Sequence, residues 1–374
     1  MINFVGYEKS VFFSDEFKFM RIKSVHIVKY KLFNNFDIDF CDSAGKPLDI
    51  VVLAGVNGSG KSTLLEYLSY HSGLAVKGAH SGNTVVEDEG RDKLFRIPPD
   101  LSQAAEYKKL FSQVVYYGAL NDDNASKQLE NVILKYVDRF VYVDGKTSFE
   151  AYSSIRSMMD DIFEGFRLQI RFKGIDADKH LIFQGMDNAE FGVEGLSDGE
   201  KQILLKVFPL FDMDMAQRVI LMDEPESSLH PSWQSYLLPV LRRCVQRNGC
   251  QFILATHSPQ IISSTRNEEI RVLSRDESGA VVAECCGDGP YGWTVARVLD
   301  EIQNVRIQRT PEVEAALEEL HGMLTEGVYD TDGFKSRLGY LEDLLGYSDP
   351  DLSLIRMEIV RKMRGTGNEK DRER

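Results

Sequence analysis

The segment GVNGSGKST at residues 55–63 constrains this chain more than any other feature of its sequence. It satisfies the pattern G-x-x-x-x-G-K-[ST] directly after the apolar run DIVVLAG, which ends at residue 55. The apolar run predicts a buried central strand, and the segment from Ser62 onward predicts a helix. A strand that enters a helix through a glycine-rich turn is typical of an α/β fold with parallel strands.

This turn contains the residue types that bind phosphate groups. Glycines allow several backbone N–H groups to point at one anion, and the N-terminus of the following helix adds a favourable dipole. The Lys61 ammonium suits the β- and γ-phosphates of a nucleotide, and the Ser62 hydroxyl suits Mg²⁺. A glycine-rich turn without a ligand needs neither group. The predicted cofactors are therefore ATP and Mg²⁺, bound by Gly55, Asn57, Gly58, Ser59, Gly60, Lys61, Ser62 and Thr63.

A second motif, VILMDEPESSLHP, occupies residues 219–231. Its four apolar residues predict a strand with Asp223 and Glu224 at its carboxyl end, where ligand sites of open α/β sheets lie. Asp223 is the predicted metal partner of Ser62, and Glu224 is predicted to orient or deprotonate the attacking water. A structural alternative exists, because Asp-Glu-Pro also ends a strand and starts a turn.

A third motif, LSDGEKQ, lies at residues 196–202. Its S-x-x-E pattern is a capping box, so Ser197 and Glu200 are consistent with a simple helix start. The segment also resembles the LSGGQ signature of ABC ATPases, with Asp198 and Glu200 as departures. In that family the serine and glycine of the signature contact the γ-phosphate bound to the opposite protomer. Carried over, these residues are Ser197 and Gly199, and both interpretations apply to the same residues.

The order of the motifs supports the ABC resemblance. ILATHSP follows the acidic motif, and its His257 resembles the switch histidine that senses the γ-phosphate. A lone histidine is more often structural, but its position in this order favours a catalytic role beside Lys61 and Glu224. Residues 227–230 resemble the D-loop, which crosses the dimer interface in this family.

Two further elements of the family have several candidates here. The glutamine of the Q-loop is expected between the P-loop and the signature, where Gln113 and Gln128 both occur. The aromatic residue that stacks on adenine has four candidates, which are equally consistent with alternating core residues: Tyr30, Phe33, Phe36 and Phe40.

Composition limits the partners and the compartment. The formal net charge of −14 disfavours a surface that attracts phosphate backbones everywhere, so any nucleic-acid contact needs a local basic patch. The five cysteines form no C-x-x-C pair, which favours reduced thiols without zinc. No apolar run approaches the ~20 residues of a membrane span, and no signal peptide is recognisable. We therefore expect a cytoplasmic protein without a membrane partner.

The predicted fold class is α/β, a P-loop NTPase head of the ABC type with a mixed or parallel sheet, a helical insertion and a small C-terminal helical domain. Thr310-Pro311 and Asp349-Pro350 each place a capping residue before a proline suited to the first helical turn. The predicted organisation comprises an N-terminal extension over 1–19, a head over 20–275 with an insertion or helical lobe at 64–195 and a mobile loop at 78–100, and a helical domain with a charged tail over 276–374.

Within the ABC class, the segment MRIKSVHIVKYKLFNNFDIDF at 20–40, the LSDGEKQ variant and DEPESSLHP resemble the RecF/SMC-like, AAA-family branch. Long SMC-type arms are not expected, because residues 64–195 lack sustained heptads and contain Pro98 and Pro99. The helical tail resembles that of ATPase subunits of Septu-type and retron-associated antiphage systems. No acidic cluster of a fused nuclease is recognisable after His257.

The resemblance implies a homodimer of heads, or a higher oligomer, that hydrolyses ATP between paired heads and regulates a separate effector such as an HNH nuclease in antiviral defence. A RecF-like DNA-repair or DNA-binding ATPase, with contact to DNA or RNA, is the second hypothesis. A transporter ATP-binding subunit is the third, and the long interval between Lys61 and Ser197 disfavours it.

Overall fold

The computed structural model describes residues 20–69, 81–117, 125–212, 215–305 and 309–370, with side chains as far as Met363. The predicted extension over 1–19 lies outside these residues. The chain divides into two compact units, 1–304 and 305–374. In the described residues, no helix is long and apolar enough to cross a membrane.

The first unit contains strands and helices in alternation. The strands are β1 (Arg21–Tyr30), β2 (Phe33–Asp39), β3 (Ile50–Ala54), β4 (Ser81–Asp88), β5 (Arg91–Ile97), β6 (Val114–Tyr117), β7 (Ile170–Ile175), β8 (Leu181–Gly185), β9 (Glu190–Phe191), β10 (Val219–Asp223), β11 (Gln251–Ala255), β12 (Ile270–Arg275) and β13 (Val281–Glu284). The helices are α1 (Lys61–Ser69), α2 (Ala104–Phe111), α3 (Ala125–Tyr142), α4 (Ser148–Phe166), α5 (Asp198–Val207), α6 (Pro231–Asn248), α7 (Pro259–Ser263) and α8 (Val295–Glu301).

A six-stranded sheet forms the centre of this unit in the described residues, with the order β13-β12-β3-β11-β10-β6. All neighbouring pairs are parallel except β12 and β13. Strands β3 and β11 are buried along their whole length, which explains their continuous apolar sequences. Because β11 lies between β3 and β10, the P-loop, the end of β10 and the segment after β11 meet at one edge of the sheet.

Alternate residues of the central strands face two different cores. Val51, Leu53 and Leu221 pack on one side with β1, β2 and α1. Val52 and Met222 pack on the other side with α3, α4, α5 and α6. Of these, α3 and α4 belong to the predicted helical lobe, together with the antiparallel strands β7, β8 and β9, whereas α5 and α6 follow it in the sequence. The α/β fold with a mixed sheet and a helical insertion is therefore confirmed.

The predicted mobile loop at 78–100 is wrong over residues 81–97, which form the hairpin of β4 and β5. This hairpin extends β1 and β2 into an antiparallel sheet of order β2-β1-β4-β5. Its two-residue turn, Glu89-Gly90, has positive φ at both positions, as hairpin turns require. One face of β4 is buried while the other is polar and accessible, so the polar composition that predicted a loop belongs to the solvent side of a strand.

The predicted boundary at residue 275 is also wrong, because the first unit continues to residue 304. Strand β13 pairs with β12, and Val298 and Ile302 pack with Ala54 in the interior of the head. The second unit consists, in its described residues, of α9 (Pro311–Thr325), α10 (Asp332–Leu345) and α11 (Pro350–Lys370), so both predicted proline starts are confirmed. Its core contains Leu317, Leu320, Leu324, Phe334, Leu341, Leu352 and Ile355.

Candidate active site

The P-loop connects β3 to α1 through backbone that only glycine adopts easily. Gly55 has a φ of +134°, and a Cβ there would lie 2.2 Å from the Leu273 carbonyl oxygen. Gly60 has a φ of +110°, and a Cβ there would lie 2.9 Å from the Leu32 side chain. The turn is therefore closely packed against Leu273 and Leu32, while residues 56–58 are exposed to solvent.

Lys61 is buried, with 4% of its surface exposed, and its side chain folds back over the turn. Its Nζ donates to the carbonyl oxygens of Gly55 at 2.9 Å and Val56 at 3.1 Å, and lies 3.5 Å from Ser59 Oγ. Burial lowers the pKa of Lys61 to about 8, and nearby carboxylates, chiefly that of Asp223, partly oppose this effect. In the part of the chain that the structure describes, these partners are neutral oxygens, so the buried cation suits an incoming anion.

Asp223 ends β10 and is held by two hydroxyl groups. Ser62 Oγ donates to Asp223 Oδ1 at 2.9 Å, although the two residues are 161 positions apart in the sequence. The Tyr116 phenol, from β6, donates to Asp223 Oδ2 at 3.1 Å. Burial, followed by the neighbouring Asp223 carboxylate, raises the pKa of Tyr116 to about 12, so the phenol is protonated at neutral pH. The predicted pair Ser62 and Asp223 is present, whereas Tyr116 was not predicted.

Glu224 follows with an exposed side chain and a φ of +46°, in the left-handed region. Its backbone N–H donates to the Ala255 carbonyl at 2.9 Å, which fixes the turn against β11. A non-glycine residue held in this region stores strain of order 1–3 kcal/mol, which is a recurrent feature of functional sites. The turn thus directs the Glu224 carboxylate away from the sheet and into solvent.

Glu226 organises the segment that carries His257, and sequence reasoning missed it. Its Oε1 accepts hydrogen bonds from Thr256 Oγ1 at 2.7 Å, His257 N at 2.8 Å and Ser258 N at 3.1 Å. Burial raises the pKa of Glu226, and the hydrogen bonds from Thr256 and His257 oppose this effect. The only sequence signal was a third acidic residue in the motif, directly after Pro225, with hydroxyl residues on both sides of His257.

His257 interacts electrostatically with the charged residues of the P-loop and the acidic motif. Burial and then the Lys61 ammonium lower its pKa below the ordinary value, while Glu224 and Asp223 oppose this shift. Gln303, which follows α8, donates from Nε2 to the His257 carbonyl at 2.7 Å. The structure therefore brings the predicted His257 to the edge of the sheet where Lys61 and Asp223 lie.

Ser197 and Gly199 lie at the N-terminus of α5, and the capping box is fully formed. Ser197 Oγ accepts from Glu200 N at 3.3 Å, and Glu200 Oε2 accepts from Ser197 N at 2.8 Å. A Cβ on Gly199 would lie 2.5 Å from the Trp233 ring, so α6 packs tightly under this position. Among the described residues, neither Ser197 nor Gly199 hydrogen bonds to the P-loop of its own chain, and the Ser197 side chain is exposed.

The same helix is tied to the acidic motif at its other end. Lys206 is buried, and its Nζ donates to the Pro225 carbonyl at 3.4 Å, to Ser227 Oγ at 2.8 Å and to the Ser227 carbonyl. Burial lowers the pKa of Lys206, and the neighbouring Glu226 opposes this effect. The lysine thus connects the helix that begins with Ser197 to the turn between β10 and α6, which also contains Glu226.

The open candidates for the Q-loop and for adenine stacking differ in their distance from the P-loop. A Cβ on Gly60 would lie 3.0 Å from the Phe33 ring, so Phe33 borders the P-loop. Gln113 precedes β6 and therefore lies at the amino end of the parallel strands. Gln128 lies in the first turn of α3, which belongs to the helical lobe. The four aromatic candidates are core residues that are at most 2% exposed: Tyr30, Phe33, Phe36 and Phe40.

The chain is similar to several known proteins. A family model described as "AAA domain, putative AbiEii toxin, Type IV TA system" matches residues 126–263. The Septu protein PtuA of Bacillus thuringiensis is 25% identical over 248 residues, which are 62% of this chain and 60% of the relative. The retron Ec83 probable ATPase of Escherichia coli is 25% identical over 275 residues, which are 67% of this chain and 47% of the relative.

The SMC head domain from Thermotoga maritima has a TM-score of 0.46 and 15% identity, over 71% of this chain and 99% of that chain. The chain spans between about half and three fifths of the length of the curated relatives named above.

The sheet order, the P-loop and the carboxylates at the end of β10 define an α/β P-loop ATPase fold. Within this class, the chain is similar in sequence to a Septu protein PtuA and to a probable ATPase of a retron.

Proposed function

We propose that this chain binds Mg²⁺-ATP and hydrolyses it. The observation that carries the proposal is the 2.9 Å contact between Ser62 Oγ and Asp223 Oδ1. It joins the first turn of α1 to the end of β10, beside the buried Lys61 ammonium. A hydroxyl and a carboxylate at this separation are hard oxygen donors of the kind that Mg²⁺ prefers.

The described residues fit both the anion and the cation. The partially desolvated Lys61 has carbonyl and hydroxyl partners, and a phosphate group would add a directly bonded negative charge to the more distant carboxylates. In the described part of the chain, no cluster of three or more His, Cys, Asp or Glu side chains could hold a metal ion. Two protein oxygens are what Mg²⁺ needs when nucleotide oxygens and waters provide the remaining ligands.

Each residue of the site has a chemical role in this proposal. Lys61 places its positive charge next to the transferred phosphate, and Ser62 and Asp223 hold the metal. When bound, Mg²⁺ neutralises charge that develops on the phosphate oxygens.

Two further residues act on the attacking water and on the phosphate. Glu224 extends from its fixed turn, orients the water and accepts its proton at a carboxylate oxygen. His257 is neutral at pH 7 because its pKa is lowered, so its ring offers one N–H donor to the γ-phosphate.

The exposed signature supports a site that is shared between two heads. The N-terminus of α5 faces solvent, and helix N-termini attract anions. There the Ser197 hydroxyl bonds to Glu200 within the capping box, so it would exchange this partner for a phosphate oxygen of the second head. We propose that Ser197 and Gly199 complete the phosphate site of a second head in a homodimer or a higher oligomer.

The cellular role that we propose is antiphage defence, in which opening and closing of the paired heads controls a separate effector such as an HNH nuclease. The names of the Septu and retron relatives support this role. Among the described residues, no specific observation favours the DNA-repair or the transporter alternative.

Phosphate release from ATP tests the enzymatic proposal directly. We expect turnover that requires Mg²⁺ and that is lost in Lys61→Ala, and turnover by that variant at the wild-type rate would contradict the assignment. The defence role is tested by phage plating on cells that produce the chain together with the product of a neighbouring effector gene. Lys61→Ala should remove the protection, and unchanged protection would contradict the proposed control of the effector.

A further inference from the structure

Tyr116 is the only residue outside the predicted motifs that the described structure connects directly to the metal-binding carboxylate. Its phenol donates to Asp223 Oδ2 at 3.1 Å, while Ser62 donates to Asp223 Oδ1 at 2.9 Å. The two hydroxyls therefore hold different oxygens of one carboxylate. Removing either of them would leave the carboxylate free to rotate about its last torsion.

The position of Tyr116 follows from strand register. β6 pairs in parallel with β10, so that Tyr116 lies opposite Leu221 and Tyr117 opposite Met222. Successive side chains of a strand point to opposite faces of the sheet. Tyr116 packs on the side of α1, where the P-loop helix lies, and Tyr117 packs on the side of the helical lobe.

We propose that Tyr116 is a positioning residue for the Mg²⁺ ligand Asp223, a role that rests on the proposed function. By holding Oδ2, the phenol directs Oδ1 towards Ser62 and the cation. Hydrogen-bond partners that orient a metal ligand typically contribute 10–100-fold to metal affinity or activity. Tyr116 contacts neither Lys61 nor the P-loop glycines among the described hydrogen bonds, so its effect should be confined to the metal.

The neighbouring Tyr117 offers a matched control. Its hydroxyl lies 3.9 Å from Met215 Sδ and also comes from a partly buried phenol on β6. Tyr117→Phe therefore removes the same group from the same strand, but on the opposite face of the sheet. Any general effect of deleting a phenol hydroxyl from β6 should be equal in the two variants.

The test measures the affinity of the full chain for a fluorescent ATP analogue, first in EDTA and then across a titration of Mg²⁺. In Tyr116→Phe we expect about a 10–100-fold higher Mg²⁺ concentration for the half-maximal effect. Its affinity in EDTA should be unchanged, and Tyr117→Phe should match the wild type in both. An unchanged Mg²⁺ requirement in Tyr116→Phe, or an equal shift in Tyr117→Phe, would overturn the proposal.

Mn²⁺ binding in the presence of the same nucleotide, followed by electron paramagnetic resonance, gives a readout that is independent of turnover. In a double-mutant cycle, Tyr116→Phe should weaken Mn²⁺ binding in the wild type and add little in Asp223→Asn, because the phenol acts through this carboxylate. Additive losses would overturn the proposal. A wild type that binds nucleotide without any response to Mg²⁺ would instead contradict the proposed function itself.

Discussion

Two regions of the molecule differ in how their polar side chains are partnered. One is the P-loop edge, where Lys61, Ser62 and Asp223 lie at the carboxyl ends of the parallel strands, and the other is the signature end of α5, where Ser197 lies. At the P-loop edge, residues from distant parts of the sequence meet: Ser62 and Asp223 are 161 positions apart, and their contact also involves Tyr116 from a third segment. At the signature end, Ser197 bonds within its own turn and its side chain faces solvent. The contacts of Asp223 are therefore assembled within the chain, whereas the Ser197 side chain faces outward.

Lys206 connects these two regions. It lies on the helix that Ser197 begins, and it donates to Pro225 and Ser227 in the turn that precedes Leu229. Glu226, within the same turn, holds the segment of His257 through three hydrogen bonds. Lys206 therefore links α5 to the turn after β10, and Glu226 links that turn to the segment of His257. Variants at each end can separate their contributions.

The largest effect is expected at the assembled edge. Glu224→Gln keeps the shape of the side chain and removes its basicity, so ATP turnover should fall about 10²–10⁴-fold while nucleotide binding persists. If the two half-sites meet in a dimer of heads, the blocked variant should accumulate closed pairs. Light-scattering mass with and without Mg²⁺-ATP measures this. A monomer at saturating ATP would contradict the pairing of heads.

At the outward-facing end, Ser197→Arg places a bulky cation where a phosphate of the second head is proposed to bind. Turnover should fall about 10²–10³-fold, as when one donor to the transition state is lost, and the affinity of the chain's own P-loop for nucleotide should be unchanged. Phosphate release and equilibrium binding of a labelled nucleotide separate the two quantities.

Thr147 provides the control for this substitution. It begins α4 with the same capping box, formed with Glu150, so Thr147→Arg loses an equivalent helix cap worth about 1 kcal/mol. If Thr147→Arg lowers turnover as much as Ser197→Arg does, the loss reflects helix capping, and the shared site is contradicted.

The connection between the regions should respond to Lys206→Met. The substitution leaves the Pro225 and Ser227 carbonyls without their described donor, which should lower the free energy of unfolding by about 1–3 kcal/mol. It should also weaken any dependence of turnover on the nucleotide state of the second head. Urea unfolding and the cooperativity of ATP hydrolysis measure the two effects.

Lys201→Met is the control variant, since Lys201 is also buried on α5 but pairs with Asp198 of the same helix. Equal losses in both variants would contradict a connecting role that is specific to Lys206.

The parts of this molecule that local sequence patterns describe were predictable. The P-loop has its own spacing of glycine, lysine and serine, and the apolar strands β3 and β10 precede their motifs directly. The contact of Ser62 with Asp223 could be predicted because parallel strands bring their carboxyl ends to one edge. The capping box of Ser197 with Glu200 is encoded within four residues and is present as expected.

Features that depend on tertiary pairing were not predictable in the same way. The composition of residues 81–97 is typical of a polar loop because one face of the hairpin is accessible to solvent. Only the pairing of β4 with β1 shows that this segment is part of a sheet. The head continues to residue 304 because β13 pairs with β12, a contact with no sequence motif. Tyr116 reaches the site through strand register, and nothing in its immediate sequence distinguishes it from a core residue. Glu226 has only its place after Pro225 as a signal, because its role depends on burial and on contacts with residues 256–258.

The smallest expected effect concerns the protonation of Lys61, and it tests whether the nucleotide is what compensates this buried cation. Its pKa is lowered to about 8 by burial, which means that part of the population is neutral at pH 8 and most of it is neutral at pH 9. A phosphate prefers the ammonium form, so nucleotide binding should take up a proton, and affinity should fall as pH rises above about 8. At most one proton is involved, so the loss of affinity approaches about tenfold per pH unit.

Calorimetric titration with ADP in EDTA, in two buffers of different ionisation enthalpy at pH 8.5, counts the proton that nucleotide binding takes up. Because Mg²⁺ is absent, Asp223 and Tyr116 do not contribute through the metal. Affinity that stays constant between pH 7 and 9.5 would mean that Lys61 is already fully charged before the anion arrives, and that the buried cation at this edge is compensated in some other way than by the nucleotide.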